Sequence, residues 1–322
     1  MAHNNIFRFS DVEPEVETLK KAAITKGLFL GFIGLHEFYS YKTAGTTYIY
    51  SQPFAGKSEL SFELMMNLAE FYGIHQAIYS PESGNAAEIY AELLSKKCRK
   101  PFYKNFDGCL GEDEYLKEKD FINEYFYIID PKDTDLTIEG FYNEVANIER
   151  KYEITISATW CDPFNELDHK FGEQNRQDLY IENRLGLIRR NAMAHNRHNF
   201  IITHSAEQEP TKTKEGSLYY APATARQIAG GQAWYRKAMN LICVWRPPAG
   251  VIDPDTGAPY GENEAHVIIR KFKPKGVGKI GKARLFFDTY QNRFYEVVNG
   301  TKFYARKEFN QMPITPNLEY EF

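Results

Sequence analysis

The sequence lacks the features that mark several large protein classes. Its 322 residues hold four cysteines, Cys98, Cys109, Cys161 and Cys243, scattered with no CxxC pair. A disulfide scaffold and a zinc ribbon are therefore not expected, and a reducing compartment suits the chain. No run of about 18 apolar residues occurs, so no membrane span is expected. The opening stretch MAHNNIFRFSDVEPEVE carries acids and no apolar segment, so it does not read as a signal peptide. Repeats and low-complexity tracts are missing too. So is any excess of positive charge: the net charge is −4, and nothing global advertises a nucleic-acid partner.

What is present describes an ordinary globular chain. Hydrophobic residues make up 43% and charged residues 25%, and the 15% of aromatics argues against disorder. The length suffices for one large domain or two small ones. Charge is unevenly placed. Glu112 to Glu149 holds twelve acids against three lysines, whereas His266 to Arg284 holds seven Lys/Arg and no acid. The balanced total hides an acidic segment and a basic one.

Strand-like and helix-like patterns alternate. Strands are expected at Thr46–Tyr50, Ile74–Tyr79, Tyr125–Ile129, Ile154–Trp160, Phe200–Thr203 and Asn240–Val244. Helices are expected at Lys57–Tyr72, Ala86–Lys97, Thr137–Tyr152 and Gln177–His195. His266 to Tyr304 reads as strands joined by Gly and Asn turns. Such alternation implies an α/β fold, with a mainly parallel sheet flanked by helices and an antiparallel β-extension at the C-terminus. Residues 1–26 read as an arm, with a short helix at Pro14–Ile24 bearing Val16 and Leu19 on one side. Residues 27–322 read as one domain.

One motif carries chemistry. Thr46–Tyr50 runs into Ser51-Gln-Pro-Phe-Ala-Gly-Lys-Ser58, and a helix follows. A phosphate-binding loop has the form GxxxxGK[ST]. Gly56, Lys57 and Ser58 stand in place, but Ser51 occupies the first glycine position. Backbone N–H groups at Gly56 and at the helix start can cradle phosphate. Lys57 would neutralise the β/γ-phosphates and Ser58 would ligate Mg²⁺. The nucleotide-holding stretch is then Gln52, Pro53, Phe54, Ala55, Gly56, Lys57, Ser58 and Glu59. Asp162, after Ile154–Trp160, sits where an acid can hold Mg²⁺ through water. It also reads as a turn Asp before Pro, and Asp130-Pro131 offers the same context. Glu82, just past Ile74–Tyr79, can take a proton from attacking water, and reads equally well as a helix N-terminal Glu. His204, after Phe200–Thr203, can sense a terminal phosphate, though alone it reads as an ordinary loop histidine.

Three further groupings carry less. His195-x-x-His198 has metal-like spacing without a third ligand. Asp162, Glu166, Asp168 and His169 cluster in sequence, yet a phosphate-loop enzyme needs only one of them on Mg²⁺. The cysteines lack a partner set for nucleophilic work.

Glu82 in YSPES, Asp162 in DPFNELDH, the stretch ENRLGLIRR and IITHS, which holds His204, follow the GKS in that order. Together they resemble the RecA-type ATPase domain of hexameric replicative helicases, in the branch of Twinkle, the phage primase–helicases and bacterial DnaB. The resemblance runs from about Gly27 to Tyr295. It implies a RecA-like core that binds ATP and Mg²⁺. Lys57 and Ser58 match the Walker A residues, Glu82 the catalytic glutamate, Asp162 the Walker B aspartate and His204 the phosphate sensor. Ser205–Ala223 matches the loop facing the central channel, with Lys212 and Lys214 on single-stranded DNA. Gln227–Asn240 follows the next motif, with Met239 where an Asp is usual and Asn240 in keeping. Lys271-Phe272-Lys273 matches the segment whose basic finger reaches the neighbouring subunit's nucleotide, with Lys at the usual Arg position. Lysine keeps the charge but not the bidentate fork. The resemblance further implies a homo-oligomeric ring, a hexamer, unwinding DNA 5′–3′. A primase or polymerase would come from another chain. A viral origin and the host cytoplasm would suit so compact a version. A RecA-like recombinase filament, or a catalytically inactive loader or scaffold, is the alternative that Ser51, Met239 and the missing Arg keep open.

Overall fold

In segment 45–51, Ile49 joins one buried apolar cluster while Tyr48 and Tyr50 join another. In segment 198–204, Phe200 and Ile202 go with the first and Ile201 with the second. Strands apolar on both faces belong to a parallel sheet covered on both sides. The computed structural model has that architecture. It describes residues 6–21, 26–131, 136–169, 177–206, 208–212, 216, 218–274 and 278–308.

The described elements run α1 (Phe9–Lys21), α2 (Ile33–Phe38), β1 (Gly45–Ser51), α3 (Lys57–Tyr72), β2 (Gln76–Tyr79), α4 (Ala86–Cys98), α5 (Glu112–Tyr125), β3 (Phe126–Ile128), α6 (Ile138–Tyr152) and β4 (Ala158–Cys161). Then come α7 (Gln177–Ala194), β5 (His198–His204), β6 (Thr211–Lys212), β7 (Leu218–Tyr219), α8 (Gln232–Lys237), β8 (Asn240–Trp245), β9 (Glu264–Lys271), β10 (Gly281–Asp288), β11 (Arg293–Val298) and β12 (Thr301–Tyr304). Ten of the strands form one sheet in the order β12-β11-β10-β9-β8-β1-β5-β4-β2-β3. From β8 to β3 the pairings are parallel. From β8 to β12 they are antiparallel.

Helices cover both faces. Leu60, Leu64 and Leu68 of α3 and Ile89 and Leu93 of α4 pack in the first cluster, where Trp160 stacks on Phe200 at 3.7 Å. Phe141 and Val145 of α6, Leu185 and Ile188 of α7 and Trp234 of α8 fill the second. The apolar spacing in 57–72 thus becomes α3 with the expected ends.

Two expectations are corrected. The N-terminal helix spans Phe9–Lys21 rather than Pro14–Ile24; it buries no residue, and 22–25 lie outside the described residues. Helix α5 was not expected at all. It buries only Ile122, too little for an apolar period. Its signal is electrostatic: three acids in the first turn favour the helix dipole, and Glu114 accepts the Gly111 N–H at 3.1 Å.

The antiparallel extension is tied to α3 by buried charge. Arg293 of β11 donates from Nε to the Glu63 carboxylate at 2.9 and 3.0 Å, and from a terminal nitrogen to Asn67 Oδ1 at 2.7 Å. Burial opposes the Arg293 charge, but Glu63 and Glu70 outweigh it and raise its pKa. Beside this pair, buried Lys96 of α4 meets Glu59 at 2.8 Å and Asn292 at 3.1 Å.

Asn85 starts α4 with a reciprocal cap. Its side chain accepts from Ala87 and Glu88 N–H, and Glu88 accepts the Asn85 N–H at 2.8 Å. Asn85→Ala is expected to lower stability by about 1 kcal/mol, read as a lower urea midpoint with unchanged slope.

Candidate functional site

Strands β1, β5, β4 and β2 lie side by side and parallel, so their carboxyl ends share one edge of the sheet. Open α/β sheets bind ligands at that edge. The ends bring together the 51–58 loop, His204, Asp162 and Glu82, four regions far apart in sequence.

Ser51 closes β1 in the strand ladder, opposite His204, and its carbonyl accepts the Ser205 N–H at 2.9 Å. The left-handed backbone falls later in the loop, at Phe54 (φ 61°) and Gly56 (φ 84°). Glycine is therefore not needed at the first position here, where Ser51 keeps ordinary strand backbone. Gly56 precedes α3, and a Cβ there would meet nothing within 4 Å, so the angle and not the space favours glycine. The first helical bond runs from Leu60 N–H to the Gly56 carbonyl at 3.0 Å. The N–H groups of Lys57, Ser58 and Glu59 thus have no partner within the helix, which makes an anion cradle.

Above this cradle lies a chain of three side chains. Lys57 Nζ is 3.2 Å from His204 Nδ1, and His204 Nε2 is 3.1 Å from the Glu82 carboxylate. Burial pulls the Lys57 pKa down, while Asp162 and Glu82 oppose the shift. Asp162 is 2% exposed, and its N–H donates to the Tyr79 carbonyl at 2.9 Å. Burial pushes its carboxyl up; a hydrogen bond from the Ser58 hydroxyl and then the Lys57 charge oppose this. Asp162 Oδ1 is buried without a hydrogen-bond partner. A spare carboxylate oxygen beside a hydroxyl is the hard donor set that suits Mg²⁺. Asn165 Oδ1 accepts the Thr203 hydroxyl at 2.8 Å and ties the Asp162 turn to β5. The competing Asp130 accepts the Ala86 N–H at 3.2 Å, at the start of α4.

The other expected residues are placed elsewhere. The Glu59 side chain turns to Lys96. Gln52, Pro53, Phe54 and Ala55 border a cavity of about 390 Å³ whose far walls are Tyr219–Tyr220 and Trp245–Pro248. Those walls were missed in the sequence, where Pro247-Pro248 after the strand Asn240–Val244 was the available signal. Lys212 is exposed on the small antiparallel β6–β7 pair, and Lys214 lies outside the described residues. Lys271 pairs in register with Leu241 at the start of β8, so Lys271 and Lys273 stand at the opposite edge of the sheet from the loop. His198 is buried in β5, held by Thr47 and the Lys42 carbonyl, and does not pair with His195 on a metal. Among the described residues no group of three or more His, Cys, Asp or Glu converges on a metal site, and no helix is long and apolar enough to cross a membrane.

No family model matches the sequence. The chain is 25% identical over 293 residues to the Twinkle homolog protein, chloroplastic/mitochondrial, of Arabidopsis thaliana. That match covers 88% of this chain but only 38% of the relative's length. Among solved structures, a separately solved ATPase domain superposes with a TM-score of 0.66 at 15% identity, covering 90% of this chain and 99% of that one. A DnaB-like replicative helicase, in a structure that describes its interactions with primase, gives 0.67 at 16%, covering 91% and 68%. The chain shares with these two structures a RecA-like fold.

Proposed function

We propose that the chain is the ATP-hydrolysing motor of a replicative DNA helicase, one that moves on single-stranded DNA as a ring, a hexamer, with ATP between subunits. The observation that carries this is the line Lys57–His204–Glu82 over the helix cradle, with Asp162 and Ser58 beside it. Twinkle-like and DnaB-like similarity supports the same reading.

Each residue has a task in this mechanism. The N–H groups of 57–59 and the Lys57 ammonium hold the phosphates, and the 390 Å³ cavity takes the base and ribose. Ser58 and Asp162 would hold Mg²⁺, which when bound neutralises phosphate charge. Glu82 accepts the proton of the attacking water. His204 touches both Lys57 and Glu82, so it can register whether a terminal phosphate stands between them. Lys212 and Lys214 meet the DNA backbone, and a basic residue of the 271–273 segment reaches the next subunit's nucleotide. A primase from another chain is the partner we propose.

ATP turnover with and without single-stranded DNA tests this. Wild type is expected to be stimulated by DNA, and Lys57→Ala to lose at least about tenfold in both conditions. Equal rates for the two proteins would end the motor reading.

A further inference from the structure

A buried polar network underlies the segment Lys271–Lys273, at the edge of the sheet away from the phosphate loop. Thr47, near the start of β1, is its centre. The Thr47 hydroxyl lies 2.7 Å from Tyr39 Oη, 2.7 Å from His198 Nε2 and 3.2 Å from Asn240 Nδ2. Burial lowers the His198 pKa to about 4, so the ring is neutral near pH 7, and its Nδ1 bonds the Lys42 carbonyl. One assignment satisfies every group. His198 donates from Nδ1 to Lys42 and accepts the Thr47 hydroxyl at Nε2. Thr47 in turn accepts from Tyr39 and from the Asn240 amide.

Asn240 Oδ1 is then left to accept the Lys273 N–H, at 3.3 Å. Neighbouring contacts grip the same segment. Phe272 meets Tyr39 edge-on with ring centres 5.8 Å apart. Lys271 Nζ donates to the carbonyls of Tyr235 and Arg236 at the end of α8, which engages it inside its own subunit. Lys273 is exposed, and among the described residues no hydrogen bond or ion pair holds its side chain. The two basic candidates are therefore not equivalent.

We propose that Asn240 is a positioning residue for Lys273: it fixes that residue's backbone, so that Lys273 rather than Lys271 is the lysine offered to the neighbouring subunit's nucleotide. The inference rests on the motor reading above. An amide meets both needs of the site at once, with a donor toward Thr47 and an acceptor toward Lys273. Fixing the backbone removes freedom that a flexible lysine would otherwise lose on reaching the transition state. Asn240 lies at the opposite end of the sheet from the phosphate loop, so its removal should lower kcat and spare KM.

The test is DNA-stimulated ATP turnover by the full chain for wild type, Asn240→Ala, Lys273→Ala and the double variant. Each single variant is expected to lose about tenfold in kcat with KM within about twofold, and the double to be no worse than Lys273→Ala. A merely structural asparagine would lower kcat by the same factor in both backgrounds, which overturns the proposal. If Lys273→Ala turns over like wild type while Lys57→Ala is dead, the role of Lys273 fails and takes this inference with it, but the motor reading stands. If Lys273→Ala is impaired and Asn240→Ala is not, only the positioning role fails. Should Asn240→Ala not fold, Thr47→Val releases the other end of the amide. A smaller fall in kcat, absent when Lys273 is already alanine, supports the proposal, and an equal fall in both backgrounds refutes it.

Discussion

Glu82→Gln is expected to slow ATP turnover about 1,000-fold while nucleotide affinity stays within about threefold of wild type. The glutamate stands in the short turn Pro81–Ser83 beyond β2, with its carboxylate 3.1 Å from His204 Nε2. Glutamine has the same shape and still offers an oxygen to that ring, so the pocket is retained. What it loses is the capacity to take a proton from water, and positioned general bases contribute about 10²- to 10⁴-fold. Affinity should survive because the groups assigned to the phosphates are the N–H groups of 57–59 and Lys57, none of which changes. Single-turnover hydrolysis together with equilibrium titration of a fluorescent nucleotide separates the two quantities. A loss smaller than about tenfold would remove Glu82 as the base. A parallel loss of affinity would make it a support for the loop instead.

Arg293→Met is expected to be the most damaging change to stability, at about 3–5 kcal/mol. Arg293 is 1% exposed and Glu63 is fully buried. Methionine fills much of the space but strands the Glu63 carboxylate, which keeps one partner from this region, the Phe294 N–H at 3.1 Å. Asn67 Oδ1 and the Lys96 carbonyl lose donors as well. Calorimetry should show the unfolding midpoint lowered by roughly 10 °C. Adding Glu63→Leu should recover part of the loss, since a buried pair replaced on both sides leaves no lone charge. A double variant as unstable as the single would show that packing, not charge, was lost. Glu63 sits in the helix that starts at Lys57, so the same lesion should also loosen the phosphate cradle.

The strand–helix alternation and the ends of α3 could be read from the sequence because each rests on local pattern: apolar spacing in 57–72 and a glycine at 56. Helix α5 could not, since one buried residue makes no period. At the site, Lys57, Ser58, Glu82, Asp162 and His204 could be named from their motifs, but their contacts could not. His204 stands between Lys57 and Glu82 because β5 is inserted between β1 and β4, and chain order does not announce that insertion. The different settings of Lys271 and Lys273 were equally hidden, because they depend on the end of α8 and on Asn240, both distant in sequence. Ser51 ran the other way: it looked like a defect in the motif and proved to be an ordinary strand residue.

Among the described residues, both ends of the sheet stop on short strands, three residues in β3 and four in β12. So little open backbone is a poor template for another chain, and Lys302, on β12 with its ammonium over the Tyr295 ring, adds charge at that border. Copies of this protein are thereby steered away from fusing their sheets into a continuous ribbon. Any contact between copies would then run through loops and helix faces, where side chains set the geometry. An assembly made that way can be taken apart by surface substitutions that leave every strand in place.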